Sequence, residues 1–228
     1  MMKTFALSIA TVGLLCLFAA IGLSAQQPSA QAPALAGGPS FEGVFTYHND
    51  NARTGQNLAE KLLKHSNVKS PTFRRLFSDS VDGQIYAQPL YFPGVSIPGQ
   101  GTHNVVYIAT ENDSVYAFDA DNAGPPLWHA ILRSTGITAV PASTTGCDQI
   151  TPKLGITGTP VIDRQSRVIY LVAMTRENGT DVHRLHALAI TTGLERPHSP
   201  VVLQASMPVA VGRFSSNPYS RRSVLDFS

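Results

Sequence analysis

One stretch of this chain is written twice, about 70 residues apart, and each copy divides into four short strand-like runs. The first copy spans Ile85–Leu132, with runs at Ile85–Phe92, Asn104–Thr110, Ser114–Ala120 and Leu127–Leu132. The second spans Gly155–Met207, with runs at Gly158–Ile162, Arg167–Met174, His183–Ile190 and Val201–Ser206. Pro89 aligns with Pro160, Tyr107 with Tyr170, and Ala117-Phe118 with Ala187-Leu188, at offsets of 71, 63 and 70. A unit this short cannot bury its own apolar faces, so the copies must stack against each other.

The runs themselves are of strand type. Val105-Val106-Tyr107-Ile108 and Val168-Ile169-Tyr170-Leu171-Val172 are continuous, β-branched and aromatic, as expected of strands covered on both faces. Glu111-Asn112-Asp113 supplies a tight polar hairpin connection, and Asp82-Gly83 a turn. With 18 Gly and 16 Pro, the composition suits an all-β chain full of turns. Four strands per unit is the plan of a β-propeller blade, and propellers hold about 4–8 blades. The expectation is therefore a partial propeller of two four-stranded antiparallel blades, within residues 41–208. Phe73–Val81, carrying Phe73, Leu76 and Phe77, reads as a lone strand ahead of the first blade. Phe41–Asn57 reads as a short strand entering a polar turn, and Leu58–Lys64 has weak helical spacing.

The ends differ from the repeats. Lys3, the apolar run Phe5–Leu23 and the small pair Ser24-Ala25 have the layout of a secretory signal, residues 1–25, cut after Ala25. An exported, periplasmic or extracellular chain follows from it, with no stable membrane insertion once the signal is removed. The run is also nearly long enough to span a bilayer, but Ser8, Thr11, Gly13 and Gly22 dilute it. Residues 26–40 read as a flexible spacer rich in Gln, Pro, Ala and Gly. Residues 209–228 lose all strand period. They read as an irregular tail or as a shifted reading frame in a truncated chain, and the repeat's abrupt stop favours the shifted frame. With Cys16 inside the signal, Cys147 is left without an intramolecular disulfide partner. The chain has 17 basic and 15 acidic residues, and removing Lys3 leaves 16 against 15, a near-neutral balance that gives no footprint for nucleic acid.

These repeats resemble the quinoprotein-type β-propellers, whose blades are called PQQ-like. Tyr116-Ala117-Phe118-Asp119 followed by Asn122-Ala123-Gly124 and Trp128 is similar to the family's docking motif, with one extra residue in the turn. In the second copy Ala187, Thr192 and Gly193 match, while Ala189 replaces the Asp and Pro197 the Trp. The resemblance implies that Ala117, Asp119, Trp128, Ala187 and Gly193 are structural, with the Asp119 carboxylate tying the following turn and Trp128 packing between blades. It also implies an alternative activity, that of a dehydrogenase using pyrroloquinoline quinone (PQQ) and calcium. Its Asp base, Glu or Asn metal ligand and aromatic platform come from many blades, so two blades cannot supply them. No cofactor is expected in this chain. The leading expectation is a non-catalytic scaffold that binds a carbohydrate, peptide or protein ligand, with open blade edges that invite self-association.

Candidate chemistry is sparse. Asp119–Gly124 superficially resembles a calcium loop but lacks its twelfth-position Glu, where Ala130 stands. His183 and His186, three apart on a strand, point to opposite faces and read as partly exposed. Asn112-Asp113-Ser114 and Asn178-Gly179-Thr180 fit the glycosylation pattern. The most concentrated polar stretch is Tyr47–Arg53, in which His48, Asn51 and Arg53 are candidate ligand-reading residues. The same residues would also serve to hold an irregular N-terminal segment against the first blade. Gln84 and Gln88, flanking the first expected strand, are candidate channel-lining residues.

Overall fold

The computed structural model describes residues 42–204, apart from 59, 71, 72, 147 and 148. The expected signal, the spacer, Cys147 and the tail lie outside the described residues. The described chain is all-β, built as two antiparallel sheets, and among the described residues no helix is long and apolar enough to cross a membrane.

The first sheet is a meander of β1 (Leu90–Ile97), β2 (Gly101–Ala109), β3 (Ser114–Asp119) and β4 (Trp128–Ile131), in that order. β2 buries Val105, Tyr107 and Ala109 at the period of two that one covered face requires, whereas Ser114–Phe118 of β3 is buried throughout. β2 and β3 join through Thr110–Asp113, where the Asp113 N–H donates to the Thr110 carbonyl and Asp113 takes a left-handed φ of 57°. The second sheet has β5 (Thr138–Ala139), β6 (Val161–Asp163), β7 (Val168–Glu177), β8 (Thr180–Ala189) and β9 (Val201–Val202). β6 pairs with the first part of β7 and β5 with its last part, so the two share one edge position. β7 and β8 close on Asn178-Gly179 with φ of 49° and 80°, the two-residue turn whose twist suits a hairpin.

The repeat read in the sequence reappears as hydrogen-bond register. Leu90 lies opposite Tyr107, Tyr107 opposite Ala117, and Ala117 opposite Trp128. In the second sheet Val161 lies opposite Tyr170, and Tyr170 opposite Ala187. The Leu127 N–H donates to the Ala117 carbonyl at 2.7 Å, and the Arg196 N–H donates to the Ala187 carbonyl at 2.7 Å, which sets Pro197 in the place of Trp128. Likewise Ala120 donates to Asn104 as Ile190 donates to Arg167. Between the sheets, Leu90, Val105, Tyr107 and Trp128 meet Ile162, Ile169, Leu171 and Leu188 in one core.

An N-terminal segment binds an edge strand of each sheet. Val44 and Tyr91 exchange two backbone hydrogen bonds of 2.9 Å, and the Ile162 N–H donates to the Phe45 carbonyl at 2.8 Å. Edge strands β1 and β6 are thereby partly covered.

Several expectations need correction. The first strand is Leu90–Ile97 and not Ile85–Phe92, because Pro93-Gly94 sits at a β-bulge instead of ending the strand. The Gly94 N–H freed there donates to the Asn104 side chain at 3.1 Å. The expected lone strand Phe73–Val81 carries no strand pairing, so no N-terminal strand accompanies the first sheet. Phe77, Val81 and Ile85 instead line one cleft with Val106, Ile108 and Phe118 of that sheet. Leu58–Lys64 is not helical among its described residues, and Phe41–Asn57 contributes a single bridge at Val44. The second sheet has five strands rather than four. His186 is buried, and only His183 is exposed.

Candidate functional site

The segment Thr46–Gly55 forms a knotted polar loop over the start of β1. Arg53 organises it: its guanidinium donates to the Thr46 hydroxyl at 2.6 Å and to the Tyr47 carbonyl at 2.9 Å. The His48 ring nitrogen Nδ1 lies 3.1 Å from the Arg53 carbonyl, and the Gly55 N–H returns to the His48 carbonyl at 3.0 Å. His48, Asn49 and Arg53 all have left-handed φ, at 54°, 68° and 58°. Three such residues without glycine mark a backbone held in shape by its side chains. Gln88 anchors the loop from below, accepting from the His48 N–H at 3.0 Å, while its own N–H donates to the Thr159 hydroxyl at 3.0 Å. What the loop offers outward is Tyr47, 45% exposed, stacked on His48 with ring centroids 3.9 Å apart. Asn51 is exposed in the same turn.

Gln84 is not part of this loop. Because β1 starts at Leu90, Gln84 and Gln88 both precede it, and Gln84 joins a second polar cluster at the β2–β3 connection. There Asp82 accepts hydrogen bonds from Thr110 at 3.0 Å, Asn112 at 2.7 Å and Ser114 at 2.6 Å. Burial pushes the Asp82 carboxyl up, but these three donors outweigh it and hold it below the usual range. Lys153 donates to the Asn112 side chain at 2.6 Å. With its amide tied on both sides, the Asn112 glycosylation pattern is closed, while Asn178 is exposed at its turn.

Asp113, in the middle of this cluster, is fully buried, and neither of its carboxylate oxygens has a partner among the described residues. Gly155 lies directly on it: an added Cβ would stand 2.5 Å from an Asp113 oxygen and 2.3 Å from the Glu111 carbonyl. Burial pushes the Asp113 carboxyl up to about 7, against the opposing pull of Arg133 and Lys153. Sequence reasoning saw only a hairpin turn here. The signal it lacked is spatial, since Lys153 and Gly155 reach the turn from about 40 residues further along the chain.

The residues of the repeated motif meet at the junction of the sheets. The Trp128 indole N–H donates to the Ile190 carbonyl at 2.9 Å, and the Tyr107 hydroxyl donates to the same oxygen at 3.0 Å. Gly193, at φ 70°, lies under the indole, where a Cβ would come within 2.5 Å of the ring. Ala117 is buried beside Trp128, and Ala187 holds the equivalent place in the second sheet. Asp119 accepts from the Asp121 N–H at 2.8 Å and the Asn122 side chain at 3.2 Å, and lies 3.1 Å from His103. Burial pushes Asp119 up, but those bonds prevail and lower it.

Ser199, Glu195 and His186 line up with the carboxylate in the middle, so the hydroxyl bonds the Glu and not the imidazole. A nucleophile needs its base at that position. No group of three metal-ligating side chains comes together among the described residues. Compared with known proteins, the chain matches no family model, no curated protein and no solved structure.

Proposed function

We propose that this chain is an exported, non-catalytic scaffold of the PQQ-like propeller type, which presents the Thr46–Gly55 loop to a carbohydrate, peptide or protein ligand. One observation carries the reading: the same cross-strand row, Leu90–Tyr107–Ala117–Trp128 and Val161–Tyr170–Ala187–Pro197, recurs in both sheets, and the first row docks on Gly193 of the second. Repeated units that stack through an aromatic on a glycine are a way of building a rigid frame, and loops held by such a frame are where binding residues concentrate. The exposed Tyr47 ring, backed by His48 and fixed by Arg53, supplies a flat apolar surface with polar groups at its rim.

The rival activity, PQQ- and calcium-dependent oxidation, does not fit these carboxylates. Asp82 is committed to three hairpin donors and Asp113 is sealed beneath Gly155, so neither is arranged to hold a metal or serve as a base toward a bound quinone. Two assays test the proposal. Glycan and peptide arrays should give binding that Tyr47→Ala abolishes, while PQQ plus calcium should support no dye-linked oxidation of alcohols or sugars. Oxidation would overturn the scaffold reading, and empty arrays would overturn its ligand-binding half.

A further inference from the structure

We infer that the outer face of the second sheet docks on the outer face of the first sheet of another copy of this chain, repeating head to tail the junction found inside it. The inference rests on the scaffold reading above and adds its partner. Inside the chain, Tyr107 and Leu90 are 2% and 1% exposed because the second sheet covers them. Their counterparts on the second sheet face outward: Tyr170 is 38% exposed and Val161 43%. A groove of about 420 Å³ runs between Tyr170, Ala187, Pro197 and Val201. The Tyr170 hydroxyl has no acceptor among the described residues, whereas that of Tyr107 donates to Ile190.

The missing half of that junction stands on the first sheet. By register Ala120 is the counterpart of Ile190, and in the turn that follows Gly124 is the counterpart of Gly193. Gly193 carries the Trp128 ring where a Cβ would be, but around Gly124 the same position has nothing within 4 Å. Next to it, Phe77, Val81 and Ile85 line a cleft of about 340 Å³ together with the half-buried Val106 and Ile108 and the buried Phe118. Phe73 and Leu76 are exposed. One face therefore has a tyrosine without an acceptor among the described residues, and the other has a glycine whose Cβ position is open, its N–H held by the Asp79 carboxylate at 3.1 Å. They lie on opposite sides of the two-sheet stack, since alternate residues of a strand point to opposite faces. Contact between different faces is heterologous, and it closes a ring or extends as a filament. Pro197 in place of a Trp makes this contact weaker than the internal one, so assembly depends on concentration.

Sedimentation of the full chain over a concentration series tests this. Wild type should assemble as concentration rises. Gly124→Phe and Ala187→Arg should each stay monomeric, and an equal mixture should give dimers and nothing larger, because only one intact pair of faces remains. A wild type that stays monomeric, single variants that still assemble, or a mixture without dimers would each overturn the inference. Trp128 is the only Trp, so its emission reports the internal junction in every sample. If Ala187→Arg loses buried emission, Tyr170→Asp takes its place. A solvent-exposed Trp128 in the wild type would overturn the scaffold reading itself, and not the docking alone.

Discussion

Replacing Asp113 with Asn should stabilise the protein at neutral and alkaline pH. The unfolded chain ionises this carboxyl near 3.8, whereas burial raises it to about 7 in the fold. Between those values the folded state keeps a proton that the unfolded state has released, so stability falls as pH rises from about 4 to 7. Above 7 both states are ionised and the full cost is present. A difference of about 3 units corresponds to roughly 4 kcal/mol. Arg133 and Lys153 face the group and reduce this cost, and Asp82 adds to it; all three are already included in the value of about 7. Asn keeps the shape and tolerates the left-handed φ of 57°. Urea unfolding of wild type and Asp113→Asn at pH 4 and pH 8 is the assay. Near equality at pH 4 and a gain approaching 4 kcal/mol at pH 8 is expected, a rise in melting temperature of about 8–16 °C. A variant destabilised at pH 8, or two stability curves that run parallel across the range, would refute the argument. Either would mean that Arg133 and Lys153 already compensate an ionised Asp113.

Gly193→Ala should destabilise by about 1–3 kcal/mol and shift Trp128 emission to the red, because the Cβ meets the indole at 2.5 Å and φ is 70°. Unchanged emission would show that the ring is not seated on the glycine. Arg53→Ala should raise amide exchange across Thr46–Gly55 while global melting changes by less than about 1 kcal/mol, since the Arg53 bonds lie within one loop. Loss of the whole fold would contradict that locality. His103 should titrate above its ordinary 6.5, held up by its bond to the Gln100 carbonyl and then by Asp119. The stability from this pair is complete below 6.5 and is lost as pH rises through the raised value, which NMR titration of wild type and Asp119→Asn would check.

The parts of this fold legible in the sequence are those that obey local rules twice. The alignment of Tyr107 with Tyr170 and Ala117 with Ala187 is register, because the same strand period and the same turn spacing act in both copies. β1 was misplaced because Pro93-Gly94 ends strands in most contexts, and only a side chain ten residues on, Asn104, makes the bulge acceptable. Of the candidate residues, His48, Arg53 and Gln88 are brought together by the loop, but Gln84 belongs elsewhere. Spacing alone could not separate two glutamines that both precede a strand beginning later than expected.

The two polar clusters divide the work between them. Asp82 and Lys153 spend their hydrogen bonds on Thr110, Asn112 and Ser114, so they fix the connection between β2 and β3. The Thr46–Gly55 loop spends its own bonds on itself and on Gln88, leaving the Tyr47 ring outward. A buried, unpartnered Asp113 under Gly155 makes sense in that division: it opposes stability at neutral pH, yet it lies where the first repeat meets the second. The cost falls on the joint between units and not on the loop, so Asp113→Asn should leave amide exchange across Thr46–Gly55 unchanged while it raises global stability.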